Sequence, residues 1–299
     1  MDVAVAGSSG LIGSALVRAL EGAGTRVRRL VRPGSPLGPD RVAWDPAAGS
    51  IDAPALEGVG AVVNLAGKPV GPHRWTPAHK AEVLESRTRS TRLLAETIAE
   101  LEQPPDVLVS ASASGYYGDR GEEILTEESG PGTGFLSDVC LQWEAATQPA
   151  SQAGIRVAHM RTGIVLSPEG GALRSMLPLF RRGLGGRIGS GAQWWSWISI
   201  EDQVGAIVHL IGAGGAAGAF NLTSPHPVTN AEFTSVLARA LGRPAALVVP
   251  KFALRAAFGE FADEGLLSSQ RILPRRLEDA GYSFRAPELE PALRGLLAS

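Results

Sequence analysis

The chain has 299 residues and a net charge of −2, with 44% hydrophobic and only 19% charged residues. A chain of this size and composition can bury a core as one α/β domain, or as one domain with a smaller lobe. The charge balance argues against a general nucleic-acid binder, which needs surplus positive charge to displace counterions from phosphate. The single cysteine excludes an intrachain disulfide and a multi-cysteine metal site.

Several further observations concern membrane association, secretion and metal binding. No apolar run approaches the roughly 20 residues that a membrane span needs, and no basic segment opens the chain as in a secretory signal. The histidines form no H-x-x-x-H pair, so we expect no metal site; they are His73, His79, His159, His209 and His226. We therefore expect a cytoplasmic monomer or homodimer that acts on a small molecule and binds neither nucleic acid nor a membrane.

Short apolar runs alternate with longer amphipathic segments in the first part of the chain. Runs of Val, Ala and Leu suit strands buried on both faces, and they predict strands at 3–6, 26–31, 61–65, 107–110 and 157–165. The segments between them predict helices at 11–21, 77–102 and 135–152. This alternation predicts an α/β fold of the Rossmann type, with a doubly wound parallel sheet and helices on both faces.

The pattern changes near Pro168, beyond which glycine and proline are frequent. We expect residues 1–167 to form the main domain, with 196–224 returning to it. Residues 168–195 and 225–299 are expected to form a smaller lobe over the carboxyl edge of the sheet, on the substrate side. The predicted elements of this part are strands at 197–200 and 220–223 and helices at 201–211, 230–241, 250–258 and 289–297.

A glycine-rich loop at residues 7–13 has the spacing G-x-x-G-x-x-G. In this glycine-rich chain the bare spacing is weak evidence, since it recurs from Gly183 and from Gly212. Only the loop at Gly7 follows a predicted strand and opens a predicted helix, which is the order that a dinucleotide-binding turn requires. Such glycines let the backbone approach a pyrophosphate at a helix N-terminus. The alternative is a purely structural strand–helix turn.

The end of the second predicted strand indicates which dinucleotide is bound. An NAD site has an acidic residue there that binds the ribose 2′-hydroxyl. This chain instead has Arg28-Arg29-Leu30-Val31-Arg32-Pro33, without Asp or Glu. Arg32 can form bidentate bonds to a 2′-phosphate, so we expect NADP(H) to be preferred over NAD(H). The alternative is that Arg32 is only a solvated strand end.

With these motifs the chain resembles the short-chain dehydrogenase/reductase superfamily, in its extended or atypical branch. It is most similar to the NAD(P)-binding epimerase-like proteins often labelled cell-division-inhibitor-like, including their uncharacterised C-terminal segment. The resemblance runs through the whole chain, and the stretches that carry it are 7–13, 63–69, 74–76, 86–87, 110–118, 139–144, 161–166, 189–193, 197–202 and 268–274.

The resemblance implies roles along the cofactor. The turn after the predicted strand at 61–65 would pass beside the adenine-ribose side, unless it merely ends a strand. Gly163 and Ile164, which follow the superfamily's sixth strand, would pass the nicotinamide. The residues expected to contact the cofactor are Gly7, Ser9, Gly10, Leu11, Ile12, Gly13, Arg32, Leu65, Ala66, Gly67, Ser110, Gly163 and Ile164.

The chain departs from the superfamily's catalytic signature, Tyr-x-x-x-Lys. The Lys of that pair lowers the Tyr pKa so that Tyr can move a proton. No tyrosine here is followed by Lys at that spacing, and alignment on Trp143-Glu144 puts Leu136 and Cys140 at the two positions. Cys140 is either a reactive thiol or, as is more usual, a small buried hydrophobe.

Other side chains are candidates for the missing chemistry. Ser112 lies where the superfamily keeps its substrate-polarising Ser, allowing one residue of alignment slack; alternatively it caps a loop. Tyr117 is a candidate proton donor beside Ser112, and the alternative is that it packs. The residues expected on the substrate side are Lys68, Tyr116, Gln193, Trp194 and Trp197, although Lys68 could equally be solvated and the tryptophans could equally be core.

Two functional hypotheses follow. In the first, the protein is an NADP(H)-dependent oxidoreductase or epimerase-like enzyme that moves a hydride to or from a small carbonyl or hydroxyl substrate. In the second, it is a catalytically idle dinucleotide-binding sensor or scaffold. The cofactor loop favours the first hypothesis, and the missing Tyr/Lys pair favours the second.

Overall fold

The computed structural model describes residues 1–36, 38–71 and 74–298. Its strands, in chain order, are β1 Val3–Ala6, β2 Val27–Val31, β3 Arg41–Asp45, β4 Ser50–Ile51, β5 Ala61–Asn64, β6 Val107–Ala113, β7 Ile124–Leu125, β8 Arg156–Thr162, β9 Ile164–Leu166, β10 Gly186–Ile188, β11 Trp194–Trp195, β12 Trp197–Ser199, β13 Gly218–Leu222, β14 Val228–Thr229, β15 Leu247–Val249 and β16 Arg271–Ile272.

The α-helices are α1 Leu11–Gly22, α2 Pro77–Ala99, α3 Phe135–Ala145, α4 Gln148–Gln152, α5 Gly171–Arg181, α6 Ile200–Gly212, α7 Asn230–Leu241, α8 Lys251–Phe258, α9 Arg275–Asp279 and α10 Leu289–Ala298. Three short helical turns complete the fold, namely 3₁₀ turns at Pro54–Leu56 and Ser114–Tyr117 and a π-turn at Ala262–Leu266.

The main sheet has eight strands in the order β13-β8-β6-β5-β1-β2-β3-β4. Neighbouring strands run parallel except β4, which pairs antiparallel with β3. One face packs against α1 and α6, and the other against α2 and α4, through two separate clusters of buried apolar residues. The predicted α/β fold with a parallel sheet is therefore confirmed.

Two predicted elements are broken in the structure. The strand predicted at 157–165 is interrupted at Gly163, where a Cβ atom would lie 2.4 Å from the Ser196 carbonyl oxygen. Strand β9 then leaves the main sheet and pairs with β12. The helix predicted at 135–152 stops at Ala145 and resumes at Gln148, with Pro149 in its first turn. Proline suits a helix start but not a helix interior, which explains the break.

A third apolar cluster lies outside the main sheet. It joins α5, α7 and α10 around the side chains of Trp197 and Phe233, which are fully or almost fully buried. Strand β13, from the same half of the chain, returns to the main sheet beside β8. The segment 251–267 packs over the start of α2, where Phe261 lies 5.7 Å from the Trp75 ring and Lys80 pairs with Glu260.

Candidate functional site

The glycine loop is closely packed against its neighbours at two of its three glycines. Gly7 has φ +76°, and a Cβ atom there would lie 2.7 Å from the Leu65 carbonyl oxygen. At Gly13 a Cβ atom would lie 2.1 Å from the Gly7 carbonyl oxygen. Real Cβ atoms do not approach backbone atoms so closely, so the fold itself requires both glycines.

Gly10 differs from the other two glycines. It is the N-cap of α1 with extended backbone, φ −74°, and its side-chain position is open except for the Gly7 carbonyl oxygen at 3.4 Å. No side chain caps this helix, so its first N–H groups are left for an anion. The fold tolerates a Cβ atom at Gly10, so packing within the chain does not require glycine there.

A groove runs from this loop across the ends of the central strands. Its lining comes from the loop, from the end of β2 and the residues after it, from β3, and from the turn after β5. It includes Gly7, Ser9, Gly10, Arg32, Leu65, Ala66 and Gly67 of the predicted cofactor contacts. Leu11, Ile12 and Gly13 form the first helical turn behind it.

The arginines that line the groove are Arg29, Arg32 and Arg41. Arg28 is bonded to Asp2, and Arg29 is paired with Glu21. Arg41 donates to the Pro36 carbonyl oxygen, whereas the Arg32 side chain has no hydrogen bond or ion pair with any residue in the described ranges. Its guanidinium is therefore free to bind an anion.

The turn after β5 is held by a buried amide. The Asn64 side chain donates to Thr91 Oγ1 at 2.8 Å and accepts from the Ala66 N–H at 3.2 Å. These bonds fix the Leu65–Gly67 backbone beside the glycine loop. Ser110, on the neighbouring strand β6, is fully buried and lines neither the groove nor the cavity described below, so its side chain is not placed to contact a ligand there.

A cavity of about 350 Å³ lies at the carboxyl ends of β6 and β8, within the size range of small-ligand sites. Helix α3 contributes Leu136 and Cys140 from one face, and the break after β8 contributes Gly163 and Ile164. The Trp194 ring is a further wall. The lining is mostly apolar, and neither Tyr nor Lys is among the described residues that form it.

Ser112 does not reach this cavity, which corrects its predicted role. Its hydroxyl donates to Glu144 Oε1 at 2.7 Å, and the residue is only 4% exposed. Ser114, in the 3₁₀ turn, lines the cavity instead, together with Thr162, Ser196 and Ser268. Residues two apart on a strand face the same side, so the difference between Ser112 and Ser114 comes from the end of β6 at Ala113 and the 3₁₀ turn that follows. The alignment slack of the motif hid this shift from sequence reasoning.

Ser112 belongs to a buried ion-pair network. Arg161 Nε and Nη2 donate to the two oxygens of Glu144, each at 2.9 Å. Burial raises the pKa of Glu144, but hydrogen bonds and charge from Arg161 lower it by more, so the carboxyl stays ionised. Every charged group of the network is thereby paired inside the fold.

Tyr117 is also part of this network, and its prediction as proton donor is wrong. The ring is fully buried, and its hydroxyl donates to Asn221 Oδ1 at 2.7 Å and accepts from Arg161. Burial raises the pKa of Tyr117 to about 12. Tyr116 stacks on the Arg161 guanidinium, whose central carbon lies 3.3 Å from the ring centroid, and it does not line the cavity.

Of the other predicted substrate-side residues, one lines the cavity and the others do not. Trp194 lines the cavity and donates from Nε1 to Glu122. Trp197 is fully buried and donates to the His226 carbonyl oxygen, so its predicted place in the pocket wall is wrong. Gln193 is mostly buried and bonds weakly to the Ile188 carbonyl oxygen at 3.4 Å, away from the cavity. Lys68 pairs with Glu82 on the Arg32 side of the turn after β5, which places it away from Tyr117.

Two charged residues of the cavity were missed by sequence reasoning. Glu264, from the π-turn, accepts from the N–H groups of Phe135 and Leu136 at 3.0 and 2.8 Å, and so caps α3. Its contact spans about 130 residues of chain, for which the sequence holds no signal. Arg87 lines the cavity from α2; it stood in the stretch 86–87 that carried the family resemblance, but without a role.

The described residues include no group of three or more His, Cys, Asp or Glu side chains placed to hold a metal ion; His73 lies outside the described residues. None of the helices in the same ranges is long and apolar enough to cross a membrane.

The loop, the groove and the parallel sheet define a dinucleotide-binding protein of the Rossmann type. Residues 3–223 match the NAD dependent epimerase/dehydratase family, and residues 249–296 match a domain of unknown function, DUF1731. The chain belongs to the NAD dependent epimerase/dehydratase family, which confirms the resemblance seen in the sequence.

Individual relatives support the assignment over the whole chain. The chain is 49% identical over 291 residues to the epimerase family protein Mb2239 of Mycobacterium bovis, covering 97% of this chain and 96% of the relative. It is similar to the crystal structure of human epimerase family protein SDR39U1 with NADPH, with TM-score 0.91, 36% identity and full coverage of both chains. A nucleoside-diphosphate sugar epimerase of Corynebacterium glutamicum matches with TM-score 0.80 and 38% identity over 99% of this chain and 58% of that one.

The glycine loop yields a matched pair of substitutions. We expect Gly13→Ala to lower the free energy of unfolding by about 3 kcal/mol or more, since its Cβ atom overlaps backbone. Gly10→Ala should cost less than about 1 kcal/mol but weaken dinucleotide binding roughly tenfold or more, because its Cβ atom projects into the groove. Urea unfolding and NADPH titration measure the two effects. Equal stability losses would contradict this division of roles.

The adjacent residues Tyr116 and Tyr117 provide a second matched pair of substitutions. Tyr117→Phe should lower the free energy of unfolding by about 1–3 kcal/mol, because the Asn221 and Arg161 side chains lose a buried partner. The Tyr116 hydroxyl has no hydrogen bond with any described residue, so Tyr116→Phe should cost less than about 0.5 kcal/mol.

The effect of Tyr117→Phe should depend on pH. The folded-state pKa of Tyr117, about 12, exceeds the ordinary value of about 10. Its contribution to stability is therefore complete below about pH 10 and is lost as the pH rises through about 12. Neither substitution should change NADPH affinity; a loss of NADPH affinity confined to Tyr117→Phe would restore Tyr117 to the site.

Proposed function

We propose that this protein binds NADP(H) in the groove, in preference to NAD(H), and transfers a hydride between the nicotinamide and a small carbonyl or hydroxyl substrate held in the cavity. The observation that carries the cofactor choice is the free Arg32 guanidinium in the groove, at the strand end where an NAD site has an acidic residue. The NADPH in the crystal structure of human SDR39U1 is consistent with this choice.

The residues present suit a dinucleotide. The open side-chain position of Gly10 and the uncapped start of α1 would receive the pyrophosphate, and Arg32 would bind the 2′-phosphate. When bound, the nicotinamide supplies or accepts the hydride. The cavity beside Gly163 has a mostly apolar wall, and Ser114 would hydrogen-bond a substrate oxygen from that wall.

Cys140 is a poor candidate for chemistry. It is 2% exposed, and burial raises the pKa of its thiol to about 11, so it stays a neutral thiol near pH 7. Leu136, one turn earlier on the same face, has no donor or acceptor. The nicotinamide end is thus expected to be held less firmly than the adenosine-phosphate end.

The lack of a reactive group at Leu136 and Cys140 favours the second candidate function, a catalytically idle dinucleotide sensor or scaffold. In that case the apolar α3 face would only pack against the nicotinamide. Stoichiometric NADPH binding followed by a panel of carbonyl compounds, read at the nicotinamide absorbance, separates the two. NADPH oxidation by at least one compound supports the enzyme, and binding without turnover across the panel supports the sensor.

Replacing the free groove arginine tests the cofactor choice. Wild type should bind NADPH more tightly than NADH, and Arg32→Asp should narrow or reverse that preference by removing the phosphate partner and adding a carboxylate. Arg243→Asp makes the same charge change at an exposed position outside the groove and should leave the preference intact. Isothermal titration measures both. Equal wild-type affinities for the two cofactors would refute the assignment.

Replacing Cys140 tests whether this face of α3, where the superfamily has its catalytic Tyr and Lys, has no catalytic role in this chain. Cys140→Ala should leave NADPH affinity within about twofold of wild type. It should also leave any turnover found in the carbonyl panel unchanged, because a neutral buried thiol contributes little. The loss of measured turnover with binding intact would instead make Cys140 catalytic.

A further inference from the structure

Arg87 carries a buried positive charge whose hydrogen-bonding capacity is not used up. The residue is 9% exposed and lies in α2, with its guanidinium carbon 4.9 Å from the centroid of the Trp143 ring. Its Nη1 donates to the carbonyl oxygens of Lys68 and Val83, at 2.9 and 3.0 Å. Its Nε and Nη2 atoms have no hydrogen-bond partner in the described ranges, and no carboxylate there pairs with it.

The other buried arginine at this edge of the sheet shows what full pairing looks like. Arg161 donates from Nε and Nη2 to both oxygens of Glu144, and from Nη1 to Tyr117. A buried guanidinium is costly unless its charge is paired and its donors are bonded. Arg87 has no such partner, and burial lowers its pKa to about 10, at which it is still charged near pH 7.

Arg87 lies between the cavity and the turn after β5, since a Cβ atom at Gly67 would lie 3.3 Å from the Arg87 guanidinium carbon. Arg87 lines the cavity together with Cys140 and Trp143, but it is absent from the lining of the groove around Gly10 and Arg32. The only other charged side chain among the described residues that line the cavity is Glu264. Glu264 caps α3 through two backbone N–H groups and forms no ion pair with Arg87.

We propose that Arg87 makes the cavity a carboxylate site, and that the substrate is a small carbonyl or hydroxy acid whose carboxylate is bound by Arg87 Nε and Nη2. This rests on the proposed function and adds the substrate class to it. The planar edge formed by Nε and Nη2 matches the two oxygens of a carboxylate, and the Trp143 ring below restricts the guanidinium. A cofactor phosphate is the other oxyanion that the same chemistry could bind, and the experiment separates the two.

The experiment uses the full chain saturated with NADPH and two probes of nearly equal shape. Oxamate carries a carboxylate, whereas oxamide is its neutral amide. Calorimetric titration should show oxamate binding at least roughly tenfold more tightly than oxamide, because only oxamate forms charge-assisted bonds to Arg87. Equal binding of the two probes, or no binding of oxamate, overturns the proposal.

Variants assign the preference to Arg87. Arg87→Met keeps the apolar stem, and it should remove the preference for oxamate while leaving NADPH affinity within about twofold. Arg87→Lys keeps the charge without the planar edge and should give an intermediate preference. Arg92→Met, on an exposed part of the same helix, is the matched control and should behave as wild type.

The remaining outcomes are distinguishable. Weaker NADPH binding in Arg87→Met, together with competition between oxamate and NADPH in wild type, would assign Arg87 to the cofactor phosphates and overturn the proposal. If Arg87→Met does not fold, the two probes on wild type and Arg87→Lys decide. A wild type that binds oxamate but not NADPH would refute the proposed function while supporting the carboxylate site.

Discussion

The close approach of the first loop to the end of β5 is the constraint on which the site depends. Parallel strands end at one edge, and here the turn after β1 and the turn after β5 come into backbone contact. The contact is possible because Gly7 has no side chain, while Gly13 lets α1 pack against the first turn and the buried Asn64 amide fixes the second turn. With the two turns locked together, the uncapped start of α1, Gly10 and Arg32 line one groove.

The carboxyl ends of β6 and β8 show a different use of polar residues. Hydrogen bonds join Ser112, Tyr117, Glu144 and Arg161 to one another and to Asn221, so their charges and hydroxyl groups are already paired inside the fold. Buried networks of this kind stabilise a unique arrangement when every member is satisfied. The residues that sequence position would nominate for catalysis are thus structural, and the cavity in front of them is mostly apolar.

The sequence predicted the elements whose signals are local. The strands of the main sheet with continuous apolar runs, the helix after the glycine loop and the free Arg32 were readable because each depends on neighbouring residues. Side-chain direction was not readable. The difference between Ser112 and Ser114 depends on where β6 turns, and the burial of Tyr117 and Trp197 depends on contacts with Asn221 and α7 from far along the chain. Strand β3 was missed because it has only two buried apolar residues, Val42 and Trp44, and helix α5 was missed because Pro178 lies inside it and glycines lie at its start.

The groove and the cavity consequently have different structural origins. The described groove lining comes entirely from the first 67 residues, whereas the cavity is assembled from α2, α3, the break after β8, Trp194 and the π-turn that contains Glu264. Because Glu264 caps α3 across the cavity, the C-terminal segment both closes the pocket and orients the helix face that lines it. The groove is thus built from elements that are close together in the sequence, whereas the cavity depends on long-range packing around Arg87 and Trp143.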